Sequence, residues 1–194
     1  MSLRKKLSPK LKALALMITF PSLLTACSSG KPVAVKSKPS SKDLYLISHP
    51  SKSTLHKVNT IVPHAVKWYG EVEKTLYSKG RPLTAIEKKE AKQLGVTHPD
   101  AVRVVILDKF PVPDSESTTN NHFEGARAMG NIIMIKPRHQ HDSRVLCHEL
   151  VHIAQKDRMG LHGFLKQYAL EREVLGYSRS LLENEAYALQ HEIK

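Results

Sequence analysis

The chain has 194 residues, 30 Lys and Arg against 18 Asp and Glu, a formal net charge of +12 at pH 7, and two cysteines. That length builds one domain with its own core rather than two, and two cysteines exclude a disulfide framework. The basic excess is scattered, with no stripe of cations interleaved with aromatics, so no nucleic-acid partner is expected; attraction to an anionic membrane surface is the simpler reading.

Arg4, Lys5, Lys6, Lys10 and Lys12 precede an apolar stretch from Ala13 to Leu24. It is too short to remain as a membrane span and reads as an export signal over residues 1–26. The stretch ends in Leu24-Thr25-Ala26-Cys27. This resembles the bacterial lipobox, and the resemblance implies diacylglyceryl attachment at Cys27 and a lipid anchor in the bacterial cell envelope. Ser28 follows instead of Asp, which in a Gram-negative host implies the outer membrane, facing the periplasm. With Cys27 acylated, Cys147 has no intramolecular partner and is read as a small buried side chain.

Residues 27–50 are rich in Ser, Lys and Pro and read as a flexible tether, leaving 51–194 as the folded domain. Ala65, Tyr69, Val72 and Leu76 recur at helical spacing, so a helix is expected over about 53–78, with Pro63 as its start or a kink and Trp68 in the core. A second helix is expected over 84–94, where Thr84 and Glu87 form a capping-box pattern and Gly95 stands at the stop. The β-branched runs at 101–107 and 131–135 read as strands, and the polar stretch 111–130 between them as a flap. Beyond Ile135 the chain reads as helical to its end, with breaks at Gly160 and Gly176. The expected fold class is α+β: a mainly helical single domain with a small sheet beside the helix that carries the next motif.

His148-Glu149-Leu150-Val151-His152 matches H-E-x-x-H. On a helix, positions i and i+4 lie about 40° apart around the axis, so both imidazoles reach one ion while a carboxylate stands beside them. Asp142 or Ser143 supplies an N-cap, and Leu146, Leu150 and Ile153 give the helix an apolar side away from the histidines. With this chain's 11 His, the motif arises by chance about 0.04 times before a helix is required. Catalytic zinc takes three protein ligands and keeps one position open, so one Zn2+ per chain needs a further ligand. Glu183 has Ala186 and Tyr187 on its own helix face, giving room and a hydroxyl for support; Glu185 is the alternative, with Ala188 and Leu189 there. Ser180-x-x-Glu183 is also a capping-box pattern, which gives Glu183 a competing local role.

His148-Glu-x-x-His152 followed by a Glu with Ala three residues on resembles the gluzincin metallopeptidases. Over about 110 residues the chain is similar to an uncharacterised bacterial family of that kind. The similar stretches include Leu94-Gly95-Val96-Thr97-His98-Pro99, His148 to Gln155, Phe164-Leu165, Gly176-Tyr177 and Glu183-Asn184-Glu185-Ala186. The resemblance implies a zincin-like fold, Glu183 as third ligand, Glu149 as general base, and the strand at 131–135 as an edge on which an extended peptide aligns. Tyr187 stands where the commoner pattern has an acid. Tyr177 and Tyr187, and also His162 and His141, are chemically able to stabilise a transition state, and the sequence does not choose among them. The expected activity is zinc-dependent peptide hydrolysis on a peptide or protein substrate. The alternatives are a catalytically inactive or structural envelope lipoprotein, or another metal-dependent amide hydrolase such as a peptidoglycan amidase.

Overall fold

A computed structural model describes residues 39–113 and 125–190. The proposed signal, Cys27 and most of the expected flap lie outside them. Among the described residues no helix is long and apolar enough to cross a membrane.

The tether expected to reach residue 50 gives way earlier, to helix α1 (Ser41–Ser48). Ser40 and Asp43 close a reciprocal capping box, and Asp43 also pairs with Arg179 at 2.8 Å, fastening the helix to the body of the domain. Helix α2 (Lys52–Leu76) is capped by Ser51 and runs through Pro63 without ending. Its buried stripe is Val58, Val62, Tyr69, Val72 and Leu76. Trp68, expected in the core, is only partly buried at its rim; Tyr69 is the aromatic inside. Strand β1 (Arg81–Pro82) leads to α3 (Ala85–Gln93), which has the Thr84/Glu87 capping box and stops before Gly95 at φ +94°.

Strands β2 (Arg103–Ile106), β3 (Ala126–Met129) and β4 (Ile132–Ile135) complete a mixed sheet in the order β1-β2-β4-β3. Strand β4 runs parallel to β2 and antiparallel to β3. The stretch expected as a flap therefore ends in a strand. Met129 pairs with Ile132 across the two-residue turn Gly130-Asn131, where Gly130 has φ +63°. Hairpin turns of this length favour positive φ at the first central residue. A side chain there would also collide with Glu73, whose Oε1 accepts from the backbone and side-chain nitrogens of Asn131. Lys156 donates to the other side of that amide, at 2.6 Å, so α2 and the motif helix together hold the hairpin tip.

Strand β4 is central and fully buried, not the edge expected from its position before the motif helix; β3 forms that edge. Successive residues point to opposite faces of the pleat. Ile132 and Met134 pack on α2, whereas Ile133 and Ile135 pack on Leu146, Leu150 and Ile153 of helix α4 (Ser143–Leu175). Asp142 caps α4, accepting from the Arg144 nitrogen. The helical run is broken at Gly160, at φ +71° and ψ +154°, a conformation reserved almost wholly for glycine. Gly176 ends the run, and α5 (Leu181–Leu189) follows.

The break at Gly160 positions the site. In a straight helix His152 and Tyr168, sixteen positions apart, would be separated by about 24 Å along the axis. Their ring centroids lie 6.3 Å apart, because the chain folds back at Gly160.

Candidate metal centre

The histidines of the motif occupy the side of α4 opposite its sheet-facing residues Leu146, Leu150 and Ile153, and both are buried. His148 Nε2 and His152 Nε2 lie 3.2 Å apart, their ring planes at 84°. Glu183, from α5, brings Oε2 to 3.3 Å from the first nitrogen and 3.8 Å from the second. A tetrahedral ion held at zinc–nitrogen and zinc–oxygen distances of about 2.0–2.2 Å sets its ligand atoms about 3.3–3.6 Å from one another. The three observed separations bracket that edge length.

The protonation pattern points the same way. His148 Nδ1 lies 3.1 Å from Gln190 Oε1, and His152 Nδ1 lies 2.9 Å from Gln155 Oε1. Carbonyl oxygens only accept, so each Nδ1 carries a hydrogen, and in the neutral ring that a metal requires each Nε2 presents its lone pair to the centre. The 3.3 Å approach of Glu183 Oε2 to His148 is then no hydrogen bond, and this oxygen has no donor although it is buried. A buried, unsatisfied acceptor facing two further lone pairs is costly unless a cation lies among them. The donor set, two imidazoles and one carboxylate, suits zinc. Among the described residues this is the one cluster of three or more His, Cys, Asp or Glu side chains whose atoms converge on one point.

Glu183 is held by its other oxygen. Tyr168 donates its hydroxyl to Oε1 at 2.6 Å; burial and the Glu183 charge push the Tyr168 phenol well above its ordinary value. Glu183 also takes no part in the reciprocal box that its spacing from Ser180 suggested. Ser180 caps α5 by accepting from the Glu183 nitrogen, while the carboxylate turned towards that helix start belongs to Glu171. Its Oε2 accepts from Ser180 Oγ at 2.8 Å and from the Leu182 nitrogen at 3.0 Å. A carboxylate at a helix N-terminus satisfies free N–H groups and opposes the positive end of the dipole. Glu183 is thereby left to face the histidines.

Glu185 lies elsewhere: it forms a two-pronged pair with Arg158, at 3.0 and 2.9 Å, and accepts from Gln155. Glu149 is buried on α4 beside His148. Tyr187 lays its ring 4.6 Å from that of His148, and its hydroxyl meets that of Tyr177 at 3.2 Å. The two tyrosines therefore border the centre together, whereas His141 and His162 are exposed. Cys147 is buried, its thiol pushed up to about 11 by burial first and by Glu90 and Glu87 next, and it stands outside the converging set.

Sequence reasoning missed Tyr168, Glu171, Gln190 and the partner role of Gln155. The last had a local signal, since Gln155 follows His152 by three residues on the same helix face. The others depend on the turn at Gly160 and the docking of α5, which leave no short-range trace.

No family model matches the chain, and no curated protein or solved structure does either.

Proposed function

We propose that this chain is a zinc-dependent hydrolase of zincin-like, gluzincin-type build, acting on amide bonds of peptides and anchored to a bacterial envelope membrane through Cys27. The observation that carries the reading is the buried Glu183 oxygen without a donor, set against the two Nε2 atoms at tetrahedral spacing. Structural zinc sites are closed by four protein ligands, while catalytic ones use three and keep a position open. Three converge among the described residues, which favours catalysis over a purely structural centre.

In this reading His148, His152 and Glu183 hold the ion. When bound, zinc supplies Lewis acidity, polarising a carbonyl and bringing the ionisation of water towards neutral pH. Glu149, one residue and about 100° around the helix from His148, takes a proton from water and returns it to the leaving amine. Tyr168 keeps the Glu183 carboxylate aimed at the centre. Tyr187, whose ring lies against His148, and Tyr177, whose hydroxyl meets it, are able to donate to a developing oxyanion. Strand β3, at the sheet edge, is the element on which an extended peptide would align by backbone pairing.

The test is cleavage of a mixed peptide library by the zinc-loaded chain, with Glu149→Gln alongside. Glu149→Gln should keep its metal and lose roughly 10²–10⁴-fold in rate, the usual worth of general-base assistance. Unchanged cleavage would move the base elsewhere, and no chelator-sensitive cleavage by the wild type would favour a binding lipoprotein.

A further inference from the structure

Gln155 is entirely buried and makes three polar contacts at once. Its Oε1 receives His152 Nδ1 at 2.9 Å, and its Nε2 donates to the Leu182 carbonyl at 2.9 Å and to Glu185 Oε2 at 3.1 Å. The amide cannot turn over. Reversal would set its oxygen against a carbonyl and a carboxylate, both of which only accept. On one side the position demands an acceptor and on the other two donors, and only a primary amide of this length meets both demands.

We infer that Gln155 is a positioning residue that locks His152 in its Nδ1–H tautomer, and that Glu185 acts behind it as an orienting anchor, not as a ligand. This inference rests on the metal-site reading of His148, His152 and Glu183. The partner of a ligating histidine fixes both tautomer and ring direction, and its loss commonly lowers metal affinity about 10–100-fold. Here the partner is neutral, whereas carboxylates often fill that role. A carboxylate at 155 would face the Glu185 carboxylate and the Leu182 carbonyl, so Gln155→Glu is not a conservative change at this position. Arg158, paired with Glu185 through both nitrogens, holds the outer end of the chain of contacts at the surface. The order from surface to centre is Arg158, Glu185, Gln155, His152. The anchor is doubled, because the Leu182 carbonyl alone still orients the amide when Glu185 is shortened.

The test uses the whole chain in two arms. In the metal-free protein, long-range proton–nitrogen correlation spectra report the tautomer of each histidine ring; in the second arm, competition with a coloured chelator reports zinc affinity. Wild type should show His152 as the Nδ1–H form. Gln155→Leu should show a mixture with the Nε2–H form and bind zinc roughly 10–100-fold more weakly. Glu185→Ala, which leaves the Leu182 carbonyl alone to orient the amide, should keep the Nδ1–H form and weaken zinc binding about threefold to tenfold, less than Gln155→Leu; unchanged affinity would remove its anchor role, and complete loss of zinc would make it a ligand. If Gln155→Leu does not fold, Gln155→Met, of similar length but without a strong acceptor, serves as the second variant, and weakened zinc binding with a mixture of His152 tautomers is again expected. An unchanged tautomer and affinity in the folded variant would overturn the inference. A wild type that shows the Nδ1–H form and binds no zinc would instead overturn the metal-site reading while leaving the tautomer lock standing.

Discussion

At the scale of single residues, the division of labour between Glu183 and Glu185 follows from what each carboxylate already has. Glu185 is satisfied by Arg158 and Gln155, whereas Glu183 keeps one oxygen turned on two imidazole lone pairs. Glu183→Gln should therefore have opposite effects in two states of the protein. With zinc present, a charged ligand is lost and affinity falls. Without metal, the new amide can donate to His148 Nε2 and accept from Tyr168, so thermal unfolding should show equal or higher stability, by about 1 kcal/mol for one hydrogen bond made in place of an unsatisfied acceptor. Were Glu183 merely part of a helix cap, the same change would leave zinc bound. The cap itself rests on Ser180 and Glu171. Ser180→Ala should cost about 0.5–2 kcal/mol, read as a shift in the denaturant midpoint.

At the scale of elements, the site is made by a helix that stops being one. Gly160 lets α4 fold back so that Phe164 and Tyr168 close on His152, with ring centroids 6.2 and 6.3 Å away. Nothing lies within 4 Å of where a Cβ at 160 would stand, so Gly160→Ala meets a conformational cost and no steric one. The expected loss is about 1–3 kcal/mol, measured by chemical denaturation. Accompanying weaker zinc retention would tie the bend to the centre. The sequence announced this bend and the stop at Gly176, as it did α3 with its Thr84/Glu87 box, because these signals are local. Strand β3 was not legible: Ala126–Met129 alternates weakly, and its pairing is set by the hairpin turn at Gly130-Asn131 and by Glu73, far away in the chain. Helix α1 was hidden for a similar reason. It is only eight residues long and follows a Ser-, Lys- and Pro-rich run, and it is held to the domain by Arg179 from far along the chain. The two histidines were legible because four residues of helix bring them together, whereas Tyr168 and Gln190 reach the site only through tertiary folding.

At the scale of the whole molecule, a sheet buried on both faces fixes the motif helix on one side while α2 and α5 close around the other. The domain joins the membrane, in our proposal, through an acylated Cys27. Acyl chains of this kind give stable anchoring, so the wild-type chain should be found in the membrane fraction and Cys27→Ser should release it. A wild type that is wholly soluble and unlabelled by a fatty-acid precursor would remove the anchor from the account without touching the metal centre. The centre itself is tested most directly by the metal content of the purified chain, determined by elemental analysis after zinc loading and gel filtration. One zinc per wild-type chain is expected, and none retained by His148→Ala or His152→Ala; equal zinc in all three, or none in the wild type, would contradict the metal centre.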